Sequence, residues 1–262
     1  MEWYEALILG IVQGLTEFLP VSSSGHLELG NVLFRTKLEQ NLTFTIVVHG
    51  ATVLSTMVVF RKDIYQLLNG FFRFKWNDET KYVVYILLSM IPIGITGLLF
   101  WRKVEGLFSG NTLLVGFMLW ITALLLLLSA KIRPKPGKMN TWRALLLGIA
   151  QAFAVIPGIS RSGATISTGL IAGISREEVT RFSFLMVLPP VIGINVVDII
   201  TKLRGVSVQE SLLVLGIGFF GAFLAGLMAC AWMIRLVKKG RLIYFSVYCF
   251  AMGALVVILS LL

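Results

Sequence analysis

Six stretches of this chain, roughly 41–60, 82–101, 111–130, 179–200, 210–234 and 242–262, are almost wholly apolar. A helix rising 1.5 Å per residue needs about 20 such residues to cross the hydrocarbon of a bilayer. Charged residues make up only 14% of the chain and hydrophobic ones 57%, whereas soluble domains carry about 25% charged residues. No water-surrounded core of this length hides so much apolar surface, so the sequence predicts an all-α polytopic membrane protein, a single membrane domain over 1–262. Trp3, Trp76, Trp101, Trp142 and Trp232 fall near run ends, where interfacial anchors belong. Trp120 sits mid-run and reads as helix packing. Gly218, Ala222 and Gly226 form a small-xxx-small face for close helix approach, within the chain or across a homodimer.

Two further apolar segments, 3–34 and 142–174, are interrupted. The first breaks at Pro20-Val21-Ser22-Ser23-Ser24-Gly25, the second at Pro157-Gly158-Ile159-Ser160-Arg161-Ser162-Gly163. Proline removes a backbone donor and glycine loosens a helix, so both breaks should be real. Each leg is too short to span. The segments also resemble each other: Gly10, Ile11, Gln13, Ser22, Ser24 and Gly25 match Gly148, Ile149, Gln151, Ser160, Ser162 and Gly163 at one constant offset, the prolines slipping by one place. A duplicated chain is expected, with pseudo-repeats about 1–130 and 140–262.

The formal charge of +10 sits in short loops such as Lys131–Lys138 and Arg235–Arg241. That is positive-inside bias and attraction to membrane lipid headgroups, not nucleic-acid binding. If both broken segments dip in and return to the same side, most loop Lys and Arg share one face. If both cross, the division is nearly even. The first arrangement predicts six transmembrane helices plus two re-entrant helical hairpins, related by an inverted-topology repeat, with both termini outside. Glu2 and Glu5 stand where a leader would be basic, so no removable signal peptide is expected. Irregular backbone is tolerated at membrane depth only under protein or beside water, so the two breaks should line one cavity.

Polar residues concentrate at the breaks. Gln13 and Glu17 share a helix face four residues apart. Glu17 is either a buried carboxylate satisfied by freed backbone amides or a working group. Ser22, Ser23 and Ser24 precede a short helix starting near Gly25, whose N-terminus is a ready anion site; ordinary capping must occupy at least one of them. His26, in that helix's first turn, has ring nitrogens suited to proton transfer. Arg161, flanked by Ser160, Ser162, Gly163 and Thr165, carries the fork of donors that phosphate oxygens prefer. It could equally pair with Glu17 in the resting state. His49 reads as a packed or helix-bonding histidine, Glu177 and Glu178 as first-turn residues after Ser175, and Asp198 as a charge near a helix end. Cys230 and Cys249 lie in apolar runs without metal-ligand spacing.

The stretch QGLTEFLPVSSSGH, Gln13 to His26, and the stretch PGISRSGAT, Pro157 to Thr165, resemble the two signature motifs of the bacterial undecaprenyl-pyrophosphate phosphatases, the bacitracin-resistance phosphatase family. The resemblance covers essentially the whole chain, and both motifs stand in order half a chain apart. It implies removal of the outer phosphate of undecaprenyl pyrophosphate at the outer face of the bacterial cytoplasmic membrane, recycling the lipid carrier for peptidoglycan. The implied catalytic residues are Glu17, Ser23, His26 and Arg161. Gln13, Ser22, Ser24, Gly25, Ser160, Ser162, Gly163 and Thr165 are the expected substrate contacts. Gln13 takes the variable first position and removes one carboxylate; Ser24 stands where many relatives have Thr. On this reading Ser23 attacks phosphorus, His26 takes its proton, and Glu17 orients His26 or holds a divalent cation, Mg or Ca. Direct attack by water activated by His26 and Glu17 is the alternative chemistry. A transporter or flippase for a polyprenyl phosphate lipid is the alternative function, because inverted repeats with broken helices are also transporter architecture.

Overall fold

A computed structural model describes residues 1–34, 42–107, 111–133, 136–202 and 211–261. The loop charges Arg35, Lys37, Lys135 and Arg204 lie outside the described residues, as do the side chains of Trp101, Arg102, Lys103, Asp198 and Lys202.

The described residues form α1 (Trp3–Phe18), α2 (Ser23–Phe34), α3 (Leu42–Val59), α4 (Arg61–Phe71), α5 (Asp78–Gly106) and α6 (Thr112–Ala130). The second half holds α7 (Thr141–Phe153), α8 (Arg161–Ile171), α9 (Arg176–Met186), α10 (Leu188–Lys202), α11 (Leu212–Lys238) and α12 (Ile243–Leu261). Among the described residues five segments are long and apolar enough to cross a membrane: Asp78–Phe100, Thr112–Ala130, Arg176–Val197, Leu212–Lys238 and Ile243–Leu261. The chain is thus an integral membrane protein. A sixth span arises only if α3 and α4 count together, and they meet at 75°. The expected span over 41–60 is therefore α3, which stops at Val59 and turns sharply. The run at 179–200 is also less regular than its sequence suggests, being divided into α9 and α10 at Val187.

α4 explains its own bend. Arg61, Lys62 and Asp63 open it, and the turn after it carries Arg73 and Lys75. Tyr65, Phe72, Phe74 and Trp76 all face outward. An amphipathic helix of this kind lies in the plane of the membrane interface. Arg181 Nε pairs with Asp63 Oδ1 at 2.6 Å and its guanidinium lies 4.9 Å from the Tyr82 ring centre, tying α4 to α9 and α5.

Helix starts follow local chemistry. Glu2 and Glu5 make a reciprocal capping box on α1. Asn140, Ser160, Ser175 and Ser211 each accept a hydrogen bond from the backbone three residues on. Ser175 thus caps Glu178, as its place ahead of two glutamates suggested.

Where helices cross, small residues remove the obstacle. A Cβ on Gly10 would lie 2.4 Å from the carbonyl oxygen of Gly218, and one on Gly14 would lie 2.5 Å from that of Ala222. The Gly218, Ala222, Gly226 face is therefore a contact within the chain, holding α1 against α11. At the matching place in the second half, a Cβ on Gly148 would lie 2.4 Å from the carbonyl oxygen of Ser89, so α7 lies equally close to α5. In lipid, where no hydrophobic force joins helices, such close backbone approach supplies the attraction. Trp120 donates to the Phe250 carbonyl at 3.1 Å, joining α6 to α12. Cys230 and Cys249 are free and buried.

Candidate active site

The first break occupies the residues between α1 and α2. Leu19 leaves the helix in an extended conformation ahead of Pro20. Ser22 then takes φ 71°, a left-handed value that non-glycine residues pay for with strain. The reversal lets Ser22 cap α2: its Oγ accepts from Gly25 N at 3.3 Å, and its carbonyl accepts from His26 N at 3.2 Å. The second break achieves the same result with Gly158 at φ 95°. There Ser160 Oγ accepts from Gly163 N at 3.1 Å. The paired hydroxyls also correspond, with Ser22–Ser24 and Ser160–Ser162 both separated by 3.3 Å. Neighbouring helices meet the backbone groups that the breaks expose. Thr122 of α6 donates to Gly158 O at 3.2 Å and accepts from Ser160 N at 3.0 Å; Cys249 of α12 faces Pro20 O at 3.5 Å.

The two breaks touch. Ser162 Oγ lies 3.4 Å from Leu19 O, and Gly25 lies against Gly158. The caps engage Gly25 and Gly163, while the first N–H groups of α2 and α8 have no partner inside their own helices. Two positive helix ends therefore converge.

Glu17 organises the junction. Its Oε1 pairs with Arg161 of the second break. Its Oε2 accepts from Ser23 Oγ at 2.6 Å and from Gln13 Nε2 at 3.0 Å. The carboxylate side chain is only 9% exposed and the guanidinium side chain 28%. A cavity of about 30 Å³ adjoins the pair, lined also by Ser162, Thr52, Thr56 and Ser183. That is room for water and not for a diphosphate.

His26 stands at the α12 side. Its Nδ1 lies 2.8 Å from the Ser22 carbonyl, which can only accept, so Nδ1 carries a proton. Nε2 lies 2.8 Å from the Tyr248 hydroxyl, and the two rings stack at 13° with centres 5.7 Å apart. A neutral ring in this tautomer keeps the Nε2 lone pair for proton transfer. The expected Ser23–His26 and Glu17–His26 links are not made: Ser23 bonds Glu17, and His26 bonds Ser22 and Tyr248.

The remaining expected contacts divide by role. Ser162 lines the cavity. Ser22, Ser24, Gly25, Ser160 and Gly163 build the two caps. Gln13, fully buried, holds Glu17. Thr165 bonds the Arg161 carbonyl and braces Ser183 of α9. His49 bonds the Thr45 carbonyl of its own helix at 2.9 Å. Among the described residues no three His, Cys, Asp or Glu side chains gather around a common point. Among the described residues Glu17 is the carboxylate at the junction, and both its oxygens are engaged, one by the Arg161 guanidinium and one by Ser23 and Gln13.

Four contributors escape a reading of the sequence. Thr52 and Thr56 sit one turn apart on α3 and give only a faint polar stripe. Ser183 is a lone hydroxyl between two phenylalanines. Tyr248 looks like any aromatic residue of an apolar helix.

The family model for the bacitracin resistance protein BacA matches residues 6–255. The chain belongs to the BacA family. It is 51% identical over 265 residues to the undecaprenyl-diphosphatase of Parabacteroides distasonis, covering 100% of both chains. It is 51% identical over 263 residues to that of Christiangramia forsetii, covering 99% of each. It is 39% identical over 261 residues to that of Oceanobacillus iheyensis, covering 96% of this chain and 94% of the relative. The BacA match spans both breaks, so the junction of Glu17, Ser23 and Arg161 lies inside the shared region.

Proposed function

We propose that this chain is a polyprenyl-diphosphate phosphatase that hydrolyses undecaprenyl pyrophosphate, releasing inorganic phosphate and leaving the monophosphate lipid. The observation that carries the reading is the junction itself: a carboxylate in contact with both a guanidinium and a serine hydroxyl where two helix N-termini meet inside a membrane protein. Such a site binds a diphosphate through fixed positive charge and N–H donors.

The diphosphate does not fit beside a closed Arg161–Glu17 pair, so binding must draw Arg161 onto phosphate oxygens. Glu17 then loses its countercharge while still accepting from Ser23. Ser23 Oγ attacks the outer phosphorus as its proton passes to Glu17. A new P–O bond forms to Ser23, the bridging P–O bond breaks, and undecaprenyl phosphate leaves. Arg161 and the helix ends bear the charge spread over the transferring oxygens, the largest catalytic contribution in phosphoryl transfer. Water, deprotonated by His26 Nε2 once Tyr248 yields, then attacks the phosphorus; the Ser23 Oγ–P bond breaks, Oγ takes its proton back from Glu17, and inorganic phosphate leaves. Glu17 thus takes the role of proton acceptor for Ser23, and His26 serves the second step.

The same reading extends to topology. α1 against α11 corresponds to α7 against α5, α6 lies on α12, and the two serine caps have matching geometry. These equivalences support an inverted repeat of two re-entrant hairpins, with the cavity opening to the outer face of a bacterial cytoplasmic membrane. That architecture also suits a lipid carrier. Detergent-purified protein, which has no sidedness, separates the two. Phosphate release from undecaprenyl pyrophosphate that disappears in Arg161→Ala supports the phosphatase. Lipid binding without release would mean a carrier.

A further inference from the structure

The substrate of the proposed reaction has a polar end and an apolar end, and so does the wall of the cavity beside Glu17 and Arg161. Opposite Glu17 and Arg161 the lining is Val53 of α3, Val187 at the α9–α10 break, and Leu188 and Val191 of α10. Val53, Val187 and Val191 are half-buried. Their chain neighbours Leu54 and Ile192 face outward, 43% and 38% exposed. In a membrane-spanning chain that outside is hydrocarbon. α3 and α10 meet here, and added Cβ atoms at Gly50 of α3 and Gly193 of α10 would meet nothing within 4 Å. Both helices therefore have free space beside the seam. Pro189 and Pro190, in the first turn of α10, lack the N–H groups that would bind this helix to α9.

Resting on the reading that the diphosphate seats at Arg161, we propose that the polyprenyl tail leaves the cavity sideways between α3 and α10, over a sill made by Val53, Val187 and Val191. A larger apolar groove of about 760 Å³ runs between α1 and α11, lined by Leu7, Ile11, Leu15, Phe220 and Leu224 among others. It cannot serve a head group at Arg161. Leu15 and Glu17 are two residues apart, about 200° round the helix, and no catalytic residue lines that groove. A tail there would have to wrap round α1. At the α3–α10 seam, polar and apolar walls belong to one cavity.

The test compares kcat/KM for undecaprenyl, farnesyl and isopentenyl diphosphates in detergent, for wild type, Val191→Trp, Val53→Trp and Leu224→Trp. Narrowing the sill should lower the undecaprenyl-to-isopentenyl selectivity about ten-fold or more, with farnesyl between them. Leu224→Trp should leave that ratio at the wild-type value. Equal proportional loss for all three lengths in both sill variants overturns the portal, as does a ratio that falls in Leu224→Trp and not at the sill. Inorganic pyrophosphate tests the underlying seat separately: it should inhibit wild type competitively, and Arg161→Lys should weaken that inhibition. If pyrophosphate inhibition does not depend on Arg161, the head-group reading itself fails and the portal falls with it. If the dependence holds and the selectivity does not move, only the portal fails.

Discussion

Breaking the Glu17–Arg161 pair should harm stability and activity in separable ways. The two side chains are 9% and 28% exposed, so neither stranded charge is well hydrated. Unit charges about 4 Å apart interact by about 4 kcal/mol at an effective dielectric of about 20, and desolvation consumes part of this. Arg161→Gln leaves a carboxylate that still accepts from Gln13 and Ser23, which moderates its cost to about 2 kcal/mol. Glu17→Gln strands the guanidinium at a similar cost. The double variant removes both charges, and its destabilisation should be about 2 kcal/mol less than the sum of the singles. The assay is equilibrium unfolding in mixed micelles, followed by tryptophan fluorescence, on all four proteins. Phosphate release should fall at least about a hundred-fold in every variant, because each loses a group the reaction needs. Strictly additive destabilisation would refute the buried pair. A double variant with near wild-type turnover would refute its catalytic meaning.

Three further outcomes follow from the same geometry. Tyr248→Phe keeps the stacked ring and deletes one hydrogen bond to His26, worth about 1 kcal/mol. Because Tyr248 must yield before His26 Nε2 can take a proton from water, the loss of this bond should raise kcat by up to about five-fold with little change in KM, read by steady-state phosphate release. Gly148→Val places a Cβ 2.4 Å from the Ser89 carbonyl oxygen, and should destabilise the protein by about 1–3 kcal/mol, seen as a lower detergent melting temperature. Ser22→Gly relieves the left-handed backbone at φ 71° but removes the α2 cap. It should cost activity more than stability, in parallel melting and turnover measurements.

The breaks were legible because proline, glycine and serine act locally. One of the three serines was expected to cap α2, and Ser22 does; Ser160, at the constant offset, caps α8 in the same way. The Glu17–Arg161 meeting was also legible, since deep charges in lipid need partners. What escaped depends on helices distant in sequence. Tyr248 reaches His26 from the far end of the chain, and no local pattern distinguishes it from other aromatic residues in α12. Ser183 and Thr52 acquire meaning only when α9 and α3 close on one cavity. The resting partner of Ser23 also escaped, because the geometry of the break turns its hydroxyl back toward α1 and Glu17. The division at Val187, inside the run 179–200, was hidden because hydropathy reports apolarity, not direction.

Rapid acid quenching of wild-type protein turning over undecaprenyl pyrophosphate labelled in its outer phosphate addresses the junction most directly. Label should appear on the peptide that contains Ser23 and be absent from Ser23→Ala, whose turnover should be at least about a hundred-fold lower. Unlabelled protein together with undiminished turnover in Ser23→Ala would contradict the account.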